Sequence, residues 1–252
     1  MKKTDRKAAT RPATALTGAD LYDRAVITRA ERKQRTRNHL LEAALRLMNE
    51  GRSFTSLGLR EITRAAGVVP TSFYRHFQDL DELGLALVEE TGATLRRLLR
   101  DARKAGVPPM HIIRRSVQIY QQFVGEHRLH IMFMAGERWG GSPLIRRAIR
   151  YEVQHFATEM AQDLRELNLL PSLTMPTLQM ICGLVVNTML NAATDILDLP
   201  PDQPPVEKEL MENFVRQLRV IFLGATQWRE PGARPLVVSR RERVPRPRST
   251  SG

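Results

Sequence analysis

The residue types that most often carry catalysis or bind metal are sparse in this chain. Among its six histidines, only His127 and His130 have a spacing that places two ligands on one face of a helix. No pattern of carboxylates or cysteines completes a site there, and Cys182 is the only cysteine. The glycines of 136–141 are not followed by the Lys and Ser or Thr of a phosphate-binding loop. We therefore predict no catalytic residue, no metal and no cofactor.

A different chemistry, hydrogen bonding to a nucleic acid, is indicated by the stretch 59–77. Its pattern predicts two short helices joined by a turn at Gly67, which is a helix-turn-helix. The second helix begins at Pro70 and is expected to bury Phe73 and Phe77. Hydroxyl, guanidinium and imidazole groups then remain outside, and they suit the base edges and phosphates of a DNA major groove. These outward residues are Thr71, Ser72, Tyr74, Arg75 and His76. A three-helix bundle without DNA would show the same turn, so the pattern alone leaves that alternative open.

The positive charge of the chain is concentrated at its two ends. The formal net charge is +12; residues 1–37 carry 11 Lys and Arg against 4 Asp and Glu, and residues 229–252 carry 7 against 2. Residues 38–228 carry 21 of each sign and are neutral. Basic tails favour nucleic acid or an anionic membrane surface without specificity, or they only keep the chain soluble.

The elements that must position these residues are predicted to be helices throughout. Apolar residues recur at steps of three and four, and glycines such as Gly51 and Gly67 mark helix ends. The strongest apolar stripe runs from Ile145 to Leu167, and the last helix carries an a/d seam from Met211 to Trp228. No stretch alternates like a strand. We predict an all-α fold of about nine helices.

Four segments are predicted along the 252 residues. A basic arm over 1–31 and a basic tail over 229–252 are expected to be disordered. Residues 32–78 form the head with the helix-turn-helix, and residues 79–228 form a larger helical domain. Apolar stretches are interrupted before the ~20 residues that a membrane span needs. We expect a cytoplasmic protein with no membrane partner.

The helix-turn-helix segment resembles the TetR family of bacterial transcription regulators. The resemblance is carried by Ile62-Thr63, Ala66-Gly67-Val68 and Phe73-Tyr74-Arg75-His76-Phe77. Thr63 stands where the family usually has Ala. Leu80 stands where it usually has a Lys that contacts a phosphate. The resemblance implies a three-helix DNA-binding head followed by a helical domain for ligand binding and dimerisation.

Within this family, longer stretches look like the FabR-like repressors of unsaturated fatty acid synthesis genes. They include Leu59-Arg60-Glu61, Pro70–Phe77, Glu137-Arg138 and Glu152–Phe156. The similarity covers roughly residues 32–228. It implies a repressor of fatty acid or lipid metabolism genes that senses a long-chain acyl-CoA or acyl carrier protein thioester.

The resemblance also implies which residues meet DNA. A homodimer would place two recognition helices in successive major grooves of a palindromic operator, at the nucleoid. Tyr74 and His76 would contact phosphates, Thr71 and Ser72 would lie near bases, and the basic stretch 32–37 would follow the backbone. The expected DNA-binding residues are Arg35, Arg37, Arg60, Thr71, Ser72, Tyr74, Arg75 and His76.

Apolar residues of the later helices are candidates for enclosing the ligand, since Met side chains fill irregular spaces. Arg138, together with Glu137, is the candidate anchor of the polar head group, and a surface ion pair is the alternative. The expected ligand-binding residues are Phe123, Met132, Phe133, Met134, Arg138, Phe156, Met160, Met180 and Leu184. Each apolar member could also be an ordinary core residue.

The last two helices are expected to form a four-helix bundle with a second copy of the chain. On the earlier of the two, Met180, Leu184, Asn187, Asn191 and Asp195 share a face, which could meet the partner, the pocket or water. The a/d seam of the final helix is the expected dimer surface. Two other functions stay open: a TetR-type regulator of efflux or another catabolic pathway with a different apolar ligand, and a membrane-surface binder that uses the tails.

Overall fold

The computed structural model describes residues 28–229, except residues 107 and 201. Over this range the chain forms nine α-helices and one 3-10 turn, Phe54–Ser56, with no strand. The helices are α1 (Arg29–Asn49), α2 (Leu59–Ala65), α3 (Pro70–Phe73), α4 (Leu80–Lys104), α5 (Pro109–Glu126), α6 (Arg128–Glu137), α7 (Pro143–Glu166), α8 (Met175–Leu197) and α9 (Pro204–Gln227). The predicted all-α fold is confirmed. Residues 1–27 of the predicted arm and 230–252 of the predicted tail lie outside the described residues.

The chain divides into two compact units. Among the described residues, the first unit comprises 28–52 and 56–83, and the second comprises 53–55 and 84–229. The border at Leu83 falls inside α4, so this helix contributes residues to both units.

The first unit begins with α1, which starts three residues earlier than the pattern predicted. Thr28 Oγ1 accepts a hydrogen bond from the Glu31 backbone N–H at 3.2 Å, and the Glu31 carboxylate accepts one from the Thr28 N–H at 2.6 Å. This capping box satisfies two N–H groups that the first turn would leave open. α1 then packs against α2, and α2 against α3. The buried apolar side chains of this unit are Leu40, Leu41, Ala43, Ala44, Leu45, Leu57, Ile62, Phe73, Phe77 and Leu83.

Both ends of α2 are fixed by local bonds. At its start the Gly58 N–H donates to Glu61 Oε2 at 2.9 Å, and the spacing of Glu61 three residues after Gly58 is that of a capping residue. Arg52 holds the same carboxylate through two bonds of 3.0 and 3.1 Å. At its end Gly67 adopts a φ of 69°, and the Val68 N–H donates to the Thr63 carbonyl at 2.9 Å. This is a Schellman-type end, and it makes the turn that the sequence predicted.

The second unit is organised around α8, whose buried face lies within one apolar core with α5, α7 and α9. α8 is long and apolar enough to cross a membrane by length and composition alone, with a mean hydropathy of 1.5 over its most apolar stretch. A core helix of a folded domain meets the same criteria. Leu178, Ile181 and Cys182 are almost fully buried, which fits a core helix.

A ladder of ion pairs joins α4 to α7 in this unit. Arg103 bonds Asp163 through two nitrogens, the longer contact being 3.1 Å, and both side chains are only 4% exposed. Arg100 meets Glu159 at 3.0 Å, and Lys104 meets Glu166 at 2.9 Å. Arg96 pairs with Glu152 and, at 3.3 Å, with Glu159. These charges are buried to different degrees. The most buried pair is Arg103 and Asp163, and removing one partner would leave an uncompensated buried charge.

Candidate functional site

The turn of residues 70–77 presents the polar side chains that the sequence assigned to DNA. Phe73 is fully buried and its ring lies 5.6 Å from that of Phe77. This anchoring leaves Thr71, Tyr74 and Arg75 exposed, while Ser72 and His76 are half-buried. Tyr74 keeps 63% of its surface open to solvent. The arrangement therefore offers hydroxyl and cationic donors at one helical turn.

His76 lies in a positive environment within the first unit. Partial burial lowers the pKa of His76, and the charges of Lys33, Arg37 and Arg75 lower it further. The imidazole is therefore mostly neutral at pH 7 in the free protein. Its Nδ1 is buried and has no hydrogen-bond partner among the described residues.

The basic side chains of α1 and α2 complete the candidate DNA surface. Arg37 is half-buried, with its guanidinium 5.3 Å from the centre of the Phe77 ring. This cation–π contact links α1 to the turn after α3. Arg35 on α1 and Arg60 on α2 are exposed. All eight residues predicted to meet DNA thus belong to the first unit, and none is buried.

The second unit encloses an apolar cavity of about 100 Å³. Its walls come from α4 to α9, and most of the lining is aliphatic, aromatic or methionine. Of the residues predicted to bind ligand, Met134, Phe156 and Met160 line it. The other lining residues are Thr91, Gly92, Leu95, Arg96, Leu99, Arg103, Ser116, Val117, Tyr120, Ile131, Glu152, Val153, Val185, Val186, Met189, Leu190 and Leu218.

The remaining predicted ligand residues lie elsewhere. Phe123 is buried in the core and Met132 packs against it. Phe133 is fully buried, with its ring 5.4 Å from that of Phe54. Met180 and Leu184 are about half exposed, at 48% and 53%. Helical periodicity identified apolar residues, but it does not show where the helices leave space between them.

Tyr120 was not singled out from the sequence, although it is the most distinctive residue of the cavity. It is 3% exposed, and its hydroxyl has no hydrogen-bond partner among the described residues. Burial raises the pKa of Tyr120, so the hydroxyl stays protonated. A signal was present: Tyr120 shares a helix face with Val117 and Val124, both buried, which places a polar atom on a core face.

Arg138 lies beside a surface groove of about 590 Å³ between α7 and α8. Arg138 Nη2 donates to Asn187 Oδ1 at 2.9 Å, and its guanidinium lies 5.5 Å from the Trp139 ring. Arg150 also lines the groove, and neither arginine has an acidic partner among the described residues. Val153 lines both the groove and the apolar cavity, so the two spaces adjoin.

Glu137 is not on the surface beside Arg138, so the alternative of a surface ion pair is wrong. It is 2% exposed, and its Oε1 accepts a hydrogen bond from the Phe54 backbone N–H at 3.2 Å. Its Oε2 has no partner among the described residues. Glu137 thus ties residues 53–55 to α6 within the second unit.

The a/d seam of α9 does not provide the dimer surface that the sequence predicted. Phe214, Leu218 and Ala225 are buried in the core of their own chain. The apolar residues most exposed on α9 are Val220 and Leu223, at 68% and 65%. A helix turns its strongest apolar stripe to its own core, so a partner must use residues outside that stripe.

The candidate histidine pair does not acquire further ligands. The rings of His127 and His130 lie 5.8 Å apart. Within the part of the chain that the structure describes, no group of three or more His, Cys, Asp or Glu residues is placed to hold a metal ion.

Two family models match the chain, one mostly within the first unit and one within the second. The model for bacterial regulatory proteins of the tetR family matches residues 40–87. The model for the tetracyclin repressor-like C-terminal domain matches residues 109–220. Together they match well over half of the chain, and the matched segments contain the helix-turn-helix and most of the cavity.

Solved structures of regulators share the fold at low sequence identity. The fatty acid degradation regulator FadR from Bacillus halodurans is 15% identical, with a TM-score of 0.58 over 77% of this chain and 97% of that chain. The repressor FadR from Thermus thermophilus, solved with lauroyl-CoA, is 19% identical, with a TM-score of 0.53 over 79% and 98%. AibR, solved with isovaleryl coenzyme A and operator DNA, is 14% identical, with a TM-score of 0.51 over 73% and 97%.

Fold and head together define a DNA-binding transcriptional regulator of the helix-turn-helix class. More specifically, the chain belongs to the TetR family of bacterial regulatory proteins. The resemblance predicted from the 59–77 motifs is confirmed at the level of the family.

Proposed function

We propose that this chain is a homodimeric, ligand-responsive repressor that senses an acyl thioester. The observation that carries the proposal is the apolar cavity of the second unit, most of whose lining lies in the region matched by the tetracyclin repressor-like model. A cavity of this kind inside a transcriptional regulator is best explained as a sensor pocket.

DNA binding is assigned to the exposed residues of the first unit. Tyr74 and His76 contact phosphates, Thr71 and Ser72 lie near bases, and Arg35, Arg37, Arg60 and Arg75 supply positive charge. This assignment is supported by the buried Phe73 and Phe77, which turn the polar side chains outward. Because the protein acts on DNA, its site of action is the cytoplasm.

The ligand class is supported by relatives and by the shape of the second unit. Two of the similar structures contain an acyl-CoA. In this chain the apolar cavity would take the acyl group, and the adjoining groove would take the nucleotide head. Arg138 and Arg150 offer cations for phosphates, and Trp139, 82% exposed, offers a ring face for a base. A role in fatty acid or lipid metabolism, as in FabR-like repressors, follows from this ligand class.

A different ligand, such as the cation of an efflux regulator, is disfavoured by the cavity charges. Glu152 is the carboxylate among the lining residues, and it is paired with Arg96. A cationic ligand would have to break that pair or remain without a counter-charge. An uncharged apolar ligand of another catabolic pathway is the second candidate.

The homodimer is proposed to use the exposed apolar side chains of α8 and α9. Leu184 on α8 and Val220 and Leu223 on α9 are all more than half exposed. Two copies of these helices would form a four-helix bundle that buries them. A dimer also provides the two recognition helices that a palindromic operator requires.

The proposal is tested by fluorescence anisotropy with DNA from the region upstream of the protein's own gene. We expect salt-sensitive binding that changes when isovaleryl-CoA or lauroyl-CoA is added. Arg35→Ala should weaken binding on every sequence and lower the slope against log salt by about 1, whereas Arg147→Ala, an exposed arginine on α7, should not. Binding that ignores every acyl-CoA would leave a TetR-family regulator and remove the thioester ligand.

A further inference from the structure

The size of the apolar cavity limits what it can hold in this conformation. Its volume is about 100 Å³. An apolar cavity of roughly 150 Å³ is known to bind benzene, so this one suits a group of only a few carbon atoms. A twelve-carbon chain does not fit unless side chains such as Phe156 and Met160 move.

The charges beside the cavity are already neutralised. Arg96 is held by Glu152 and Glu159, and Arg103 is held by Asp163. Gly92 allows the first of these contacts, because a Cβ there would clash with Glu152 Oε2. A charged ligand group would find no free counter-charge among these residues, so the buried part of the ligand is uncharged.

The hydroxyl of Tyr120 is a fully buried polar group of this cavity that lacks a partner among the described residues. A buried donor without an acceptor is unfavourable, and a ligand oxygen would remove that cost on binding. The hydroxyl is protonated, so it can donate and the ligand must accept. A carbonyl oxygen is the neutral acceptor that an acyl group carries.

We infer that the cavity binds a short, uncharged acyl group and that the Tyr120 hydroxyl donates a hydrogen bond to its carbonyl oxygen. The attachment of this acyl group to coenzyme A rests on the proposed function. The binding of the acyl group itself rests on the cavity and on Tyr120. Tyr120 is then a residue that selects ligands, because an apolar chain without an acceptor leaves its hydroxyl unpaired.

The experiment compares Tyr120→Phe with the wild type. This change removes one oxygen and keeps the ring. Tyr151→Phe, an exposed tyrosine on α7 that lines neither space, is the matched control. Affinities for isovaleryl-CoA and lauroyl-CoA are measured by calorimetry, and the melting temperature is measured with and without ligand. Ethyl isovalerate, which carries the acyl group without coenzyme A, is a third probe in the melting assay.

We expect isovaleryl-CoA to bind the wild type more tightly than lauroyl-CoA, and Tyr120→Phe to weaken isovaleryl-CoA about tenfold. The unliganded variant should melt at the same temperature or higher, because it has lost an unpaired buried hydroxyl. An unchanged affinity with a lower melting temperature would show a structural hydroxyl and overturn the inference. Tighter binding of lauroyl-CoA than of isovaleryl-CoA to the wild type would overturn the inference that the acyl group is short.

The two kinds of probe, acyl-CoA and the free ester, distinguish a failure of this inference from a failure of the proposed function. If no acyl-CoA binds but ethyl isovalerate stabilises the wild type more than Tyr120→Phe, the acyl-group inference stands and the thioester ligand is wrong. If neither probe class stabilises the wild type, both are wrong.

Discussion

At the scale of single residues, two of the buried polar atoms that lack a hydrogen-bond partner among the described residues bear on the proposed function. They are Nδ1 of His76 in the first unit and the hydroxyl of Tyr120 in the second. Native proteins satisfy most buried polar atoms, so each exception points to a missing partner. We propose a ligand carbonyl as the partner of the Tyr120 hydroxyl. The buried Nδ1 of His76 is out of reach of DNA, so a phosphate contact by this half-buried residue would use the other ring nitrogen, Nε2.

His76 makes DNA binding depend on pH. Its pKa lies below the ordinary value of 6.5 in the free protein, and a phosphate contact would raise it. DNA binding then takes up a proton, so operator affinity should rise as pH falls from 8 to 6, by up to about tenfold for each unit of pKa change. Anisotropy at constant ionic strength measures this. His76→Gln should remove the dependence, and His39→Gln on α1 should keep it.

The same lowered pKa has a consequence for stability. The imidazole of His76 binds a proton more readily in the unfolded chain than in the folded one. Its contribution to folding stability is therefore fully present above about pH 6.5 and is lost as the pH falls through the pKa of the folded state. Urea unfolding of wild type and His76→Gln at pH 7.5 and 5.5 should show a smaller loss for the variant. An equal loss would contradict the burial of this ring.

Arg138 is expected to recognise the head of the ligand from the groove. Arg138→Ala should weaken isovaleryl-CoA binding about tenfold or more, since a bond to a charged group is lost. Arg147→Ala, on α7, should have no effect, because Arg147 lines neither the cavity nor the groove. Calorimetry decides, and equal affinities of Arg138→Ala and wild type would remove this residue from the site.

At the scale of elements, the charge ladder between α4 and α7 fixes one wall of the cavity. Arg96 and Arg103 line the cavity and also bind acidic residues of α7. A shift of α4 along α7 would therefore change the cavity and the ion pairs together. A ligand that prefers one arrangement of these ion pairs would therefore also favour one shape of the cavity.

The buried pair of Arg103 and Asp163 can be used to test how much the ion pairs between α4 and α7 stabilise the fold. Arg103→Met leaves the Asp163 carboxylate buried without its main partner, and should lower the free energy of unfolding by about 3 kcal/mol. The double variant with Asp163→Leu should recover much of the loss, because the uncompensated charge is gone. Urea unfolding at one fixed protein concentration measures both. A double variant no more stable than the single one would contradict the argument.

Local chemistry made several elements predictable from the sequence. The turn at Gly67, the cap by Glu61 and the buried pair Phe73 and Phe77 all follow from spacing and residue type. The family motif lies within these elements, which is why the head and its outward residues could be assigned early. Capping and periodicity act over a few residues, so a sequence contains enough to determine them.

Contacts between distant helices were harder to predict. The α9 seam was correctly identified as apolar, but it meets its own core instead of a partner. Glu137 was expected near the surface, yet it bonds the Phe54 N–H, 83 residues away in the chain. The cavity lining likewise depends on where six helices fail to fill space. Periodicity identifies an apolar face but not the surface it meets.

At the scale of the whole molecule, the chain combines a DNA-binding unit with a second unit that we propose is the sensor. Residues of α4 belong to both units. In a two-state dimer, a ligand that prefers one state changes operator affinity by the same coupling free energy. The basic arm over 1–31 and the basic tail over 229–252 are expected to add nonspecific phosphate contacts.

The dimer surface can be tested by charge. Val220→Lys with Leu223→Glu should convert the dimer to a monomer, because both side chains are exposed in the single chain and would be buried against a partner. Light scattering after size exclusion gives the mass, and circular dichroism checks that the helices persist. Lys208→Glu, exposed near the start of α9, is the control and should stay dimeric. A wild type that is a monomer at all concentrations would contradict the assembly.

The central claim, that one protein couples an acyl ligand to operator DNA, is tested most directly by measuring both affinities on each background. The operator dissociation constant is measured with and without saturating isovaleryl-CoA. The isovaleryl-CoA constant is measured with and without operator. We predict that both change by the same factor, within the roughly 5- to 150-fold range of allosteric coupling. Binding of both partners with no change in either constant would contradict the account.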